Sequence, residues 1–460
     1  MENPLKFTTL QICDAYHSGE LSPINVTKKC LEQIKKHNPV LNAICYTNTQ
    51  NSLKWAKESE TRWQQGKQLS PIDGVPFTVK DLIYTKDWPT LHGSNTVSSD
   101  QKWQKESPCV ARMRDAGAIL IAKTTTPEFG HKGVTTSLRH GVTRNPWDPK
   151  KTSGGSSGGA AVAAAMNMGL LHIGNDGGGS IRIPASFTGV FGFKPSPRLV
   201  PAWPVDDYIA NQMSVTGPIT RSVTEAALIM DIISQPDPRD YTSLPHHGLH
   251  FTKHLKKPFS KLKIAYISHL DGLNKNDEIS QIISKALEHF SEIADVEPLK
   301  LNIPTGIFRI FWLAAAQHTI TQLKPTEQNK LDPSMKIWGE MSKNINLSDY
   351  MLARDKRLEL IEKMNNILDE YDFILSPTTT TTAFDVGQDN PQHSDGKEWQ
   401  NWAPFTSLVN LAQLPAASIP CGFTAGKLPV GLQIIGSNLA DVDVLRLAYF
   451  FEQNNPIMQP

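Results

Sequence analysis

The sequence offers no stretch from which a membrane anchor could be built. No run approaches the roughly 18 apolar residues that a spanning helix needs. The N-terminal MENPLKFTTLQICDAYHSGE has no basic start followed by an apolar core, so no signal peptide is expected. Charge of either sign is not in excess. The 46 Lys and Arg residues nearly cancel 45 Asp and Glu, and a net charge of +1 argues against a nucleic acid or a membrane surface as partner. The five cysteines (Cys13, Cys30, Cys45, Cys109 and Cys421) are odd in number, widely spaced and without a C-x-x-C pair. That pattern predicts reduced, buried thiols and a cytoplasmic protein. Cys109 follows Ser107-Pro108 at a helix start, where a thiol pKa can fall. Its helical spacing with Met113 and Ala116 makes it a core residue instead. There is no H-E-x-x-H, no paired Cys/His cluster, no G-x-x-x-x-G-K-[ST] and no G-x-G-x-x-G, so no metal and no nucleotide cofactor are expected. The 14 histidines are scattered, and His131 and His172 read as packed or surface residues.

What is present is an ordinary globular composition, 39% hydrophobic and 20% charged. A chain of 460 residues has room for two or three domains, but no low-complexity tract, charge block or repeat marks a linker. One domain over residues 1–460 is therefore expected. Helical patterns at Thr8 to His17, from Ser22 with Pro23 in the first turn, and at Asn51 to Gln65 alternate with strand-like Ala43 to Tyr46, VPFTV and Ala118 to Ala122. This alternation predicts an α/β fold with a mixed central sheet surrounded by helices. Further on, Lys263 to Ser268, Ile279 to Phe290 and Ala294 to Leu299 read as strand, helix and strand. Phe308 to Leu323 and Leu347 to Leu368 read as helices with a polar stretch between them. Phe373 to Pro377, NLAQLPAASIPCGF and LPVGLQIIG read as strands, and Asp441 to Gln453 as a closing helix.

The chemistry concentrates in TSGGSSGGAAVAAAMNMGLLHIGNDGGGSIRIPAS. It holds two glycine-serine clusters, Gly154 to Gly159 and Gly177 to Ser180. Serines flanked by glycines let the backbone approach a ligand closely and turn several N–H groups toward one point, as a nucleophile beside an oxyanion hole requires. A flexible linker would contain neither the helix-forming Ala160 to Ala165 nor the strand-like Leu170 to Ile173. Upstream, PIDGVPFTVKDLI ends a hydrophobic run with Lys80 and Asp81. A lysine at a strand end is usually solvated and would mean little alone.

In order along the chain come GVPFTVKD, KTTTPEFG, RNPWD, GGSSGGAAVAAA, GGGSIRIPAS and GPITRS. This succession resembles the amidase signature family of Ser–Ser–Lys amide hydrolases, with its core at about residues 70–225. The resemblance implies that Lys80 is the family's base, Ser156 its serine at a cis peptide and Ser180 its nucleophile. A serine needs an adjacent base, and a lysine can be one only when neutral, as burial can make it. Ser156, whose hydroxyl both donates and accepts, would carry the proton between Ser180 and Lys80. The N–H groups of Gly177, Gly178, Gly179 and Ser180 would hold the oxyanion, helped by a helix opening at Ser180. Asp176 and Arg182 flank the nucleophile in supporting roles, pairing across the loop or orienting it. The chain departs from the family's usual Thr-Asp-X-Gly-Gly-Ser at Asn175, and carries Gly177 at X. Residues Thr124 to Thr152 form a long loop expected to pack under the site, with no catalytic role for Glu128.

Two other serine motifs lack their context. Gly154-Gly-Ser156-Ser-Gly158 fits the nucleophile elbow, but the preceding Asn145-Pro-Trp-Asp-Pro149 is a proline-broken loop rather than a strand, and His246, His247 and His250 lie in a polar loop. Ser260-Lys-Leu-Lys263 fits S-x-x-K without its partner motifs. The expected activity is hydrolysis of a small carboxamide to an acid and ammonia or an amine through a seryl acyl-enzyme, with the small-molecule amide as partner; a homodimer is compatible with it. The alternative is the glutamine-hydrolysing subunit of a tRNA-dependent amidotransferase. Such subunits resemble one another around SNLARYDGVRYG, whereas this chain reads FWLAAAQHTITQLKPTEQNK there. Substrate pockets in the family vary over about residues 305–384.

Overall fold

The computed structural model describes residues 3–204, 213–245, 248–270, 276–304, 306–392 and 401–460. His246 and His247 fall outside them. Local chemistry sets the first helices. Thr8 closes a capping box with Gln11 ahead of Thr9–Ser18, and Ser22 caps Pro23–Leu41 with Pro23 in the first turn.

The strands in chain order are β1 (Ile44–Thr47), β2 (Pro76–Lys80), β3 (Ile119–Thr124), β4 (Thr136–Ser137), β5 (Gly141–Val142), β6 (Leu171–Asp176), β7 (Phe191–Lys194), β8 (Val215–Thr220), β9 (Leu262–Tyr266), β10 (Ala294–Pro298), β11 (Phe373–Pro377), β12 (Ala416–Phe423) and β13 (Pro429–Ile435). Eleven of them form one mixed sheet in the order β1-β3-β2-β6-β8-β7-β12-β13-β11-β9-β10, and β4 and β5 make a separate hairpin. β2 runs parallel to both β3 and β6, so both its edges are paired inside the sheet, and every residue of it is buried, Lys80 included. β6 is antiparallel to β8, and that change of direction lies beside the residues that follow β6.

The long 124–152 segment contains the β4–β5 hairpin and is tied to the helix Arg182–Thr188. Asn145 Nδ2 donates to Phe187 O at 2.8 Å, and Trp147 Nε1 donates to Thr188 O at 2.8 Å. Glu128 is a joint in this segment: its carboxylate accepts from Ser94 Oγ at 2.6 Å and from the Asp332 N–H at 2.7 Å. The stretch between the helices Ile307–Thr321 and Leu347–Glu370 is more ordered than its polarity suggests. It holds the helix Pro333–Ser342, capped by Asp332, which buries Met335 and Trp338. Two buried side chains among polar neighbours are too short a pattern to read as periodicity.

The helix Gly158–Ala165 is buried along its whole length, and its small residues are the reason it fits. A Cβ on Gly159 would collide with the Thr125 backbone nitrogen and the Ala43 carbonyl oxygen. Helix propensity alone favours Gly159→Ala by about 1 kcal/mol. The backbone atoms in the way cannot rotate aside, and overpacking costs about 1–3 kcal/mol. The clash wins, so Gly159→Ala is expected to lower the melting temperature. Gly426→Ala, which meets only Thr424 Oγ1 at 3.7 Å, should leave it unchanged in the same scan.

Candidate active site

Lys80 closes β2 with its side chain fully buried. Its Nζ lies 2.7 Å from Ser156 Oγ, 2.9 Å from Ser157 Oγ and 2.6 Å from Asn175 Oδ1. Burial drives the amine well below the ordinary lysine pKa, against the opposing pull of Asp176. Ser156 and Ser157 lead into the helix Gly158–Ala165, and the Gly155–Ser156 peptide is cis. The Ser157 N–H donates to Ser180 O at 3.0 Å, which ties the two glycine-serine clusters together.

Asp176, the last residue of β6, organises the second cluster. Its carboxylate accepts from the N–H groups of Gly179 (2.7 Å) and Ile181 (3.1 Å), and from Arg182 Nε (3.0 Å) and Nη2 (2.8 Å). Asp176 and Arg182 therefore pair across the loop, both with fully buried side chains. Burial alone would raise the Asp176 carboxyl, but the Arg182 guanidinium beside it holds it well below the usual carboxylate range. Arg182 in turn donates to Gln433 Oε1 of β13 at 2.7 Å and to Thr406 O at 3.0 Å. Gly179 has φ +123°, and a Cβ there would strike the Thr406 side chain, so only glycine fits. One expectation needs revising. The Gly179 N–H is spent on Asp176, which leaves the N–H groups of Gly177, Gly178 and Ser180 without a protein acceptor among the described residues.

Ser156, Ser180 and Gly177 line a small cavity of about 50 Å³ together with Phe129, His131 and Trp312. It shares Leu82, Phe129, Asn175, Ser214 and Thr319 with a second cavity of about 600 Å³. Trp312, on the helix Ile307–Thr321, donates its indole N–H to His131 O at 2.8 Å and so fixes one wall. His131 itself is held neutral, its pKa pushed to about 4 by burial.

The profile of the Amidase family matches residues 25–445. The chain belongs to the amidase family. It is 31% identical to an acylamidase of Rhodococcus erythropolis over 95% of this chain and 93% of that one. It is 30% identical to a glutamyl-tRNA(Gln) amidotransferase subunit of Trichodesmium erythraeum (strain IMS101), over 95% and 96%. The solved structure of a bacterial aryl acylamidase of the amidase signature family superposes with a TM-score of 0.90 at 29% identity, covering 98% of this chain and 96% of that one.

Within this amidase architecture some neighbours of the site escaped sequence reasoning. Ser157 and Asn175, two of the three partners of Lys80, lie inside the glycine-serine motifs, but nothing in the motifs assigns either a role there. Trp312 and Met335 reach the cavity from helices far along the chain. The fold also gathers Cys45, Asp81 and His140, whose ligand atoms lie within 4.8 Å of one another. Such a cluster is invisible to spacing rules. Asp81 already accepts from the Leu91 N–H at 3.0 Å, the Gly93 N–H at 3.2 Å and His140 at 3.3 Å, so the group is a hydrogen-bonded clip. Cys109 is buried, and burial raises its thiol to about 12, the opposite of an activated cysteine. Among the described residues no helix is long and apolar enough to cross a membrane.

Removing Arg182 would strand a buried carboxylate, which typically costs about 3–5 kcal/mol. Arg182→Met is expected to lose that much stability in urea unfolding. In the unaltered protein, Asp176 has a depressed folded pKa, so its contribution is present at neutral pH and is lost as pH falls below about 4.

Proposed function

We propose that this chain is a free-standing amidase that hydrolyses a carboxamide through an acyl-enzyme on Ser180. The observation that carries the reading is the buried Lys80 amine 2.7 Å from Ser156 Oγ, with Ser156 and Ser180 both lining the small cavity. Neutral Lys80 takes the Ser156 proton as Ser156 takes that of Ser180, and Ser180 Oγ bonds to the amide carbon. The carbonyl electron pair moves onto oxygen, where the N–H groups of Gly177, Gly178 and Ser180 receive it. The proton returns through Ser156 to the leaving nitrogen, which departs as ammonia or an amine. Water then repeats the sequence on the ester and releases the acid.

The pair of cavities favours an amide with a bulky group over glutamine. The small cavity admits little beyond the scissile group, whereas the adjoining one of about 600 Å³ is walled by Tyr84, Trp103, Phe129 and Trp203. The likeness to acylamidases supports the same choice, while the similar likeness to amidotransferase subunits keeps glutamine as a competing substrate. The serine–lysine hydrolysis step needs no metal or nucleotide in either reading, and the free-standing reading needs no partner chain.

Purified protein is expected to release aniline from an aryl amide faster than ammonia from glutamine, with the acyl mass trapped on the Ser180 peptide. Lys80→Met should lower the rate by about 10²–10⁴-fold or more, since base catalysis and serine activation vanish together. Mass on Ser156 alone, or a well-folded Lys80→Met that keeps most of the rate, would overturn the proposal. Faster glutamine hydrolysis would favour the amidotransferase reading.

A further inference from the structure

Lys80 faces three oxygen atoms, and a neutral amine cannot treat them alike. It has two N–H bonds and one lone pair. Asn175 Oδ1, at 2.6 Å, can only accept. Ser157 Oγ, at 2.9 Å, spends its own hydrogen on Asn175 O at 3.1 Å, so it too accepts from Lys80. With both N–H bonds assigned, the lone pair is left for Ser156 Oγ, whose hydrogen has no other acceptor among the described residues.

We propose that Asn175 is a positioning residue that turns the lone pair of Lys80 toward Ser156. The proposal rests on the reading of Lys80 as the base. Asn175 supplies both halves of the cradle: its side-chain oxygen takes one N–H directly, and its backbone oxygen fixes the Ser157 hydroxyl that takes the other. β6 holds it in place, with Asn175 paired to Thr216 of β8. When the Ser156 O–H bond breaks and the third N–H of Lys80 forms, the ammonium meets three acceptors already in position. Ser156 regains its proton from Ser180, and no partner has to move. The charged group acting on Lys80 is Asp176, next to Asn175 on β6 and itself bound to Arg182, while burial holds His131, which also lines the cavity, neutral.

The test follows the rate at which a fluorophosphonate probe modifies Ser180, forming the O–P bond and expelling fluoride. This reports nucleophile activation whatever the natural substrate is. It is measured against pH in the full chain, Asn175→Ala, Asn175→Asp and Lys80→Met. Asn175→Ala is expected to slow maximal inactivation about 10–100-fold, the scale of a lost bond to a charged group, with little change in probe affinity. Asn175→Asp keeps the shape but puts a carboxylate beside Nζ. It should shift the acid limb upward by about one pH unit or more and recover most of the maximal rate above it. If Lys80→Met is inert while both Asn175 variants keep the unaltered rate and acid limb, the role of Asn175 is refuted and Lys80 stands. If Lys80→Met reacts normally, the underlying reading fails. Should Asn175→Ala not fold, the isosteric Asn175→Asp alone decides through its acid limb.

Discussion

The burial of the Lys80 amine is the constraint around which the site is arranged. An ammonium removed from water is costly unless paired, and no carboxylate accepts from this one directly. Its three neighbours within hydrogen-bond distance are neutral oxygens, at 2.6, 2.7 and 2.9 Å. Neutral acceptors satisfy either protonation state without fixing the charge. A carboxylate in the place of Asn175 would hold the proton on lysine to higher pH and, under the proposed mechanism, narrow the range in which the amine is free to take a proton. The strands follow from the same need. β2 brings Lys80 up between β3 and β6, in the interior of the sheet, where water does not reach it.

Charge is instead concentrated one residue further along β6. Asp176 and Arg182 form a fully buried pair that is also bonded to the Gly179 and Ile181 N–H groups and to residues of the C-terminal third, Gln433, Thr406 and Asn410. A buried ion pair is weak evidence for net stability, and its use here is to specify geometry. It shapes the loop that carries Ser180 and fastens it to β13. The Gly179 N–H is thereby bound within the loop and does not face the cavity as a free donor. Adjacent residues of β6 thus carry two different environments, with Asn175 among the neutral acceptors around Lys80 and Asp176 in a saturated, rigid ion pair.

The sequence made the catalytic candidates visible because glycine, serine and a strand-terminal lysine leave local signals. The β2 strand, the apolar part of β6 and the helix starting after Ser22 were legible too, from hydrophobic patterning and from Pro23 in the first turn. Boundaries differ by a few residues, as at β6, which runs to Asp176 where the apolar pattern stops at Ile173. Asn175 lies in that extension, where polarity hides a strand residue paired across to β8. Pro333–Ser342 was hidden by its polar face, and Trp312 joins the cavity only through tertiary packing. The tie between Asp176 and Gly179 was unreadable because it depends on which way a loop N–H points, and that follows from Gly179's φ of +123°.

The central claim is that Lys80 is an uncharged amine at neutral pH. Lysine labelled with ¹³C and ¹⁵N gives a Cε and Nζ signal for Lys80, assigned by its absence from Lys80→Met. Its shift, followed from acid to alkaline pH, reads the protonation state directly. The amine is expected to titrate well below the value of about 10.4 of free lysine and to be neutral where the enzyme works. An Nζ signal that stays that of an ammonium up to pH about 10 would contradict the account.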